Sequence, residues 1–323
     1  MYLVRRILVG VEMPTSRPWN AANLEPPSRF AVRQAFQLAA SASLPVSLVS
    51  VLPEPSRGWF SSFAEAEVTL LTAQQEATEV LRDLARQYTH QPDEQTGVTC
   101  VVACGTPWLE LLRTAGNAAD TLIICGTRNT GAVSRALFGS TGLKLIRNAA
   151  GPVWLVRPLP DDDAVLDILA LTDLTEVGQD VLTTSVTVAR TLPSRLHALH
   201  VVDEPTDRYL RHTGISAERL AELRNKSRDD AEHRLQDQLA ATDFRTLPNG
   251  VKSHVVTGDA GETVLDTIRD LKINLVVMAT HARGGVAGML LGNTAERLLP
   301  DLPCSLLVIK PDDFVSPIAA QMA

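Results

Sequence analysis

Two loops rich in glycine and small residues carry the residue types with the most chemical meaning in this chain. The first runs from Cys125 and Gly126 through Arg128 and Asn129 to Gly139, Ser140 and Thr141. The second runs from Met278 through Thr280, His281 and Arg283 to Gly292, Asn293 and Thr294. Each follows a short apolar run of strand length and leads into an apolar helical pattern. A strand, a small-residue loop and a helix N-terminus bring free backbone N–H groups and the helix dipole together, so the chemistry on offer is anion binding, phosphate above all. Arg128 and Arg283 can meet phosphates or stay solvated. Ser140 and Thr141, like Asn293 and Thr294, can instead cap their helices. His281 can touch a ligand, but no second His, Cys or acid stands at ligand spacing from it, so no metal site is expected. His197 and His200 are three apart on a predicted strand and face opposite ways. The chain shows no G-x-S-x-G elbow, no Walker lysine pattern and no assignable triad, so no catalytic residue is expected.

The elements that position these loops occur twice. From Gly105 to Pro158 and from Gly258 to Pro311 the chain aligns with itself without a gap, at a constant offset of 153 residues. Such a register through three elements reads as a duplication. Strand one ends at Gly10-Val11-Glu12 in the first copy and at Thr172-Asp173 in the second; strand two ends near Val51 and Val201. The first copy carries 11 extra residues between strands one and two, in the Pro-rich stretch Met13–Pro27. The second carries three extra between strands two and three. Strands alternating with helices predict a parallel sheet with helices on both faces. Ligands then bind at the carboxyl edge of the strands. Ser28 is expected to cap the first helix, running to about Ser41. The predicted layout is a domain over residues 1–158, a polar linker over 159–164 with Asp161–Asp163 in solvent, a second domain over 165–311 and a loosely attached tail over 312–323.

A length of 323 residues fits two domains, and 45% hydrophobic residues suffice for two cores. A net charge of −7 and only 4% aromatic residues argue against a nucleic-acid or anionic-membrane partner. No apolar run reaches the length of a membrane span, and the N-terminal apolar stretch is too short for a signal peptide, so a cytoplasmic location is expected. Cys100 and Cys104 share one face of a strand; as ligands, a redox pair or small buried hydrophobes they demand no oxidising compartment.

These loops, the strand-one acids and the run LHALHVVDEP (Leu196–Pro205) resemble the universal stress protein family, whose motif is G-x2-G-x9-G-[S/T] after strand four. The closing segment GNTAERLLPDLPCSLLVIKPDDFVSPI is similar to the tandem two-domain members of the E type. The resemblance implies two Rossmann-like, adenine nucleotide alpha hydrolase-like domains, each a five-stranded parallel sheet in the order 3-2-1-4-5 between helices. It implies that Val153–Val156 and Ser305–Ile309 meet inside the chain as a pseudo-dimer, with a homodimer as a further state. It also implies ATP or ADP as ligand, with Mg2+ able to accompany the phosphates and no cofactor needed for the fold. The strand-one acid would contact the ribose, strand ends one and two would flank adenine, and the loop would wrap the phosphates. The first copy keeps Gly126, Gly139 and Ser140 but has Asn129 for a glycine and Glu12 for the acid; the second keeps Asp173 but has Ala279 and Ala282 for the early glycines. Three readings follow: a non-enzymatic stress-response module that binds nucleotide and an unknown protein partner, a scaffold with degenerate sites or a site for a nucleotide-linked amphiphile, and a slow ATPase.

Overall fold

The computed structural model describes residues 4–54, 63–89, 97–116, 118–127, 138–159, 165–203, 216–280 and 293–318. They fall into two compact units. The first holds β1 (Arg6–Gly10), α1 (Pro26–Ala42), β2 (Val46–Leu52), α2 (Phe63–Arg86), β3 (Val98–Cys104), α3 (Pro107–Ala115), β4 (Thr121–Gly126), α4 (Ser140–Asn148) and β5 (Val153–Val156). All pairings are parallel: β2 with β3, β1 with β2 and β4, and β4 with β5, so the order is β3-β2-β1-β4-β5. Consecutive residues Ile7, Leu8 and Val9 are all buried, as are Leu122 to Ile124. A strand buried at successive residues is covered on both faces, which is why these runs are uniformly apolar instead of alternating.

The second unit holds β6 (Leu166–Leu171), α5 (Glu176–Thr191), β7 (Ser194–Asp203), α6 (Ala217–Ala240), β8 (Val251–Gly258), α7 (Ala260–Asp270), β9 (Leu275–Ala279), α8 (Asn293–Leu298) and β10 (Ser305–Ile309). Its parallel pairings are β7 with β8, β6 with β7 and β9, and β9 with β10. The strand order therefore repeats that of the first unit. β8, at the edge, is the least covered of its strands, with Val256 38% exposed.

Several local expectations change. The first helix starts at Pro26, before Ser28, with Glu25 at the cap position. Pro26 and Pro27 are preset for the first helical turn, where a missing N–H costs nothing. The Ser28 hydroxyl instead accepts from the backbone N–H of Glu12 at 3.2 Å. α4 starts at Ser140 with Gly139 as its cap residue, so Ser140 and Thr141 lie inside the first turn and neither supplies a side-chain cap. α8 begins at Asn293, so Asn293 and Thr294, both expected as possible caps, lie inside its first turn. The tail is not loose over its described part: residues 313–318 belong to the first unit, and Ser316 and Ile318 are 4% and 8% exposed. Of the expected linker, 160–164 lies outside the described residues. No helix among the described residues is long and apolar enough to cross a membrane.

Candidate functional site

In the first unit, β1 ends between the two strands that set the site. Gly10 pairs with Val49 on β2 and with Cys125 on β4. A Cβ on Gly10 would stand 2.7 Å from the Cys125 sulfur, so glycine is what lets these strand ends approach. Val11 is buried, its N–H bonded to the Val49 carbonyl at 2.8 Å, and Glu12 is exposed at the edge. Val51, near the end of β2, is half-buried. Gly126 lies against the start of α1: a Cβ there would come within 2.6 Å of the Pro27 carbonyl carbon. Gly126 is therefore a packing residue as well as a loop residue. Thr127 follows, buried, with its N–H on the Val156 carbonyl at 2.9 Å.

Gly139 differs. A Cβ there meets no atom of the described residues within 4 Å, and its φ of −56° is ordinary. Among the described residues nothing covers the first turn of α4 and no side chain caps it, so none of them takes up its N–H groups in place of an acceptor. Ser140 is exposed and Thr141 half-buried in that turn. Arg128 and Asn129, expected in the loop between, lie outside the described residues.

The second unit uses its equivalent groups differently. The Asp173 carboxylate accepts from the N–H and the hydroxyl of Thr175, at 3.0 and 2.5 Å. Thr175 in turn caps α5 at Gly178. The Thr172 hydroxyl donates to Gln238 on α6 at 3.0 Å and accepts from the Leu174 N–H, also at 3.0 Å. The Thr172 carbonyl meets His200 Nδ1 at 2.9 Å, and Arg234 on α6 donates to the Leu174 carbonyl at 2.7 Å. These bonds hold a three-residue turn with Leu174 at a φ of 60°. Val201 is half-buried, Met278 buried, and Thr294 exposed. Thr280 is 4% exposed and its hydroxyl has no hydrogen-bond partner among the described residues. His281, Arg283 and Gly292 lie outside the described residues, as does the side chain of Asn293.

Other reactive groups are held quiet. Burial pushes the Cys125 thiol up to about 12, so it stays protonated at neutral pH. Burial also raises Cys100 and Cys104, whose thiols are free. Desolvation pushes buried Lys310, just past β10, down to about 7. His197 and His254 are both lowered by burial, and no group of three or more His, Cys, Asp or Glu among the described residues is placed to share a metal ion. A groove of about 380 Å³ lies elsewhere, between α6 and β8, lined by Arg228, Glu232, Leu235 and His254 among others. It borders the sheet's side edge and does not coincide with the loops.

The sheet therefore brings Gly10, Val11, Glu12, Cys125 and Gly126 to one edge. Sequence reasoning gave Ser28, which holds the Glu12 backbone, a different role, and missed Gln238 and Arg234, which hold the Asp173 turn. No local signal marks these, because their partners are 16 to 66 residues away.

Both units of the chain are similar to known proteins. The model of the universal stress protein family matches residues 4–157 and again 166–310. Universal stress protein E of Escherichia coli K12 is 25% identical over 265 residues, covering 78% of this chain and 83% of that protein. A universal stress protein of Mycolicibacterium smegmatis is 28% identical over 204 residues, 59% of this chain and 62% of that one. In fold, the chain is similar to a functionally unknown protein from Pseudomonas aeruginosa PAO1, with a TM-score of 0.63 at 18% identity, covering 99% and 96% of the two chains. It is likewise similar to a universal stress protein from Archaeoglobus fulgidus, with a TM-score of 0.57 at 17% identity, covering 94% and 98%. With both halves matched by the family model and the same sheet built twice, the chain belongs to the universal stress protein family.

Proposed function

We propose that this protein is a non-enzymatic regulatory module whose first unit binds ATP or ADP. The observation that carries the reading is the first turn of α4 at Gly139, which no side chain among the described residues caps or covers. A helix N-terminus of this kind favours phosphate through its N–H groups and its dipole. Gly10, Val11, Glu12 and Val51 stand at the strand ends where a base and sugar would lie. Arg128 and Asn129 complete the loop in this reading, with Mg2+ accompanying the phosphates.

The second unit supports a different reading. Asp173 and Thr172 are spent on the turn before α5, and α8 has only six residues. We read this unit as a scaffold, or as a site for another nucleotide-linked ligand approached through the Thr280 hydroxyl.

The test is calorimetric titration of ATP and ADP into the wild type and Gly139→Glu. No described residue comes within 4 Å of a Cβ at Gly139, so the glutamate is expected to be accommodated, while its charge repels phosphate. Affinity at least about tenfold weaker in a variant with unchanged melting supports the site. Equal affinity in the two proteins refutes it.

A further inference from the structure

We propose that β8 and the flank of α6 form a docking edge for an extended peptide segment of a protein partner. The segment adds a strand antiparallel to β8. Alternate residues of it set an acidic, a basic and an amide side chain against Arg228, Glu232 and Gln236. This edge belongs to the second unit and owes nothing to the nucleotide reading of the first.

β8 pairs with β7 along its whole length, from Val251 beside Leu196 to Gly258 beside Asp203. Among the described residues no strand pairs with its other side. The N–H and C=O groups there are a template for one more strand. Native edges of this kind are ordinarily blunted by charge. Here Lys252 is the only Lys, Arg, Asp or Glu in the strand, and Val256 is left 38% exposed. β3, the corresponding edge of the first unit, has no exposed residue, whereas β8 has three, Lys252, Ser253 and Val256.

The groove of about 380 Å³ runs beside this edge, and Leu235, Val255 and Val256 give it an apolar part. Ala231, Leu235 and Leu239 hold α6 on the sheet. Arg228, Glu232 and Gln236 line the groove at successive steps of four residues. Such a step advances about 6 Å along a helix, and alternate side chains of an extended chain stand about 6.8 Å apart. Successive same-side residues of an added strand therefore meet successive polar residues of α6. Arg228 Nε and Glu232 Oε1 are 3.0 Å apart, with side chains 58% and 43% exposed. An ion pair so exposed is worth little in water, so its charges exchange readily for partners on an incoming chain. α6 joins two parallel strands and so runs opposite to β8; a peptide reading acid, base, amide from its N-terminus follows α6 and lies antiparallel to β8. A solvated helix flank accounts for the charges, but not for a valine left exposed on an unpaired edge beside a groove.

The test is fluorescence polarisation of the full chain with a labelled peptide, Thr-Glu-Val-Lys-Val-Gln-Val-Thr, and with its counterpart in which glutamate and lysine are exchanged. Two further versions are N-methylated at alternate residues, one on each edge of the added strand. The wild type is expected to bind the first peptide at least about tenfold more tightly than the exchanged one. The double variant Arg228→Glu with Glu232→Arg should reverse that order, and Val256→Lys should weaken both. One methylated version should lose binding, because its N–H groups face β8, and the other should keep it. Should the double variant fail to fold, the exchanged and methylated peptides on the wild type carry the comparison. Equal affinity for the two peptides, an unchanged order in the folded double variant, equal binding of both methylated versions, or no binding at all overturns the docking edge. Concentration-dependent dimerisation lost in Val256→Lys, without peptide binding, assigns the edge to a second copy of the chain and overturns it too.

Discussion

His197 Nδ1 on β7 and His254 Nε2 on β8 lie 3.0 Å apart. Their ring centres are 5.3 Å apart and their planes within 18°. That centre distance is the hydrogen bond plus two ring radii, so the imidazoles meet edge to edge, in line, with one proton between them. One ring donates and the other accepts, an arrangement that two imidazolium ions cannot keep. Lys252 and Arg195 add positive charge and Asp167 negative charge around His197. Arg228 and Glu232 line the groove beside His254.

Both histidines are lowered, by burial first. In the unfolded chain a histidine titrates near 6.5. Below that value the unfolded chain therefore takes up protons that the folded pair refuses, and stability falls as pH drops through about 6.5 toward the lowered folded values. Urea midpoints measured at pH 7.5 and 5.5 should show a loss in the wild type, and a smaller one in His254→Gln. An equal loss in both would remove the pair as its cause.

Lys310 acts at the other end of the pH scale. Its amine is pushed down to about 7 by burial, against about 10.4 in an unfolded chain. Between these values the unfolded chain binds the proton that the folded one has released. Stability should then rise with pH above 7, by at most about 1.4 kcal/mol per unit from this group, and level off near 10. Below pH 7 both states are charged and the full burial penalty applies. Lys310→Met should flatten the rise in denaturation midpoints taken from pH 7 to 9.5. A rise of the same size in the variant would contradict this assignment.

Gly126 and Gly139 should respond unequally to one methyl group. Alanine at 126 would force its Cβ onto the Pro27 backbone, and overpacking of this kind costs about 1–3 kcal/mol. At 139 no described residue is within 4 Å and φ is ordinary, so alanine should cost less, at most about 1 kcal/mol for a poorer helix cap than glycine. Thermal melts of the two variants decide the matter. Comparable destabilisation at both positions would contradict it.

Asp173→Ala should lower stability with no ligand present. The carboxylate holds the Thr175 N–H and hydroxyl at the start of α5. Loss of a group that organises a helix start costs about 0.5–2 kcal/mol. Urea denaturation of the ligand-free protein measures it. An unchanged midpoint would return Asp173 to a purely ligand-directed role.

The strands, their alternation with helices and the duplication were all legible in the chain itself. Apolar runs such as Leu122–Cys125 and Leu275–Met278 carry their strand character locally. The equal offset between the halves shows that one fold is used twice. Gly139 at the start of α4 could also be read from spacing alone. What the side chains do with that fold could not. Ser28 looked like a helix cap, yet two prolines before it start the helix early and free its hydroxyl for Glu12. Asp173 looked like a ligand group, yet it closes a turn. His197 had a partner on β8, unmarked by its own strand. In each case the element follows from period and propensity over a few neighbouring residues. The partner depends on strand register and helix placement across tens of residues, and only tertiary packing sets those.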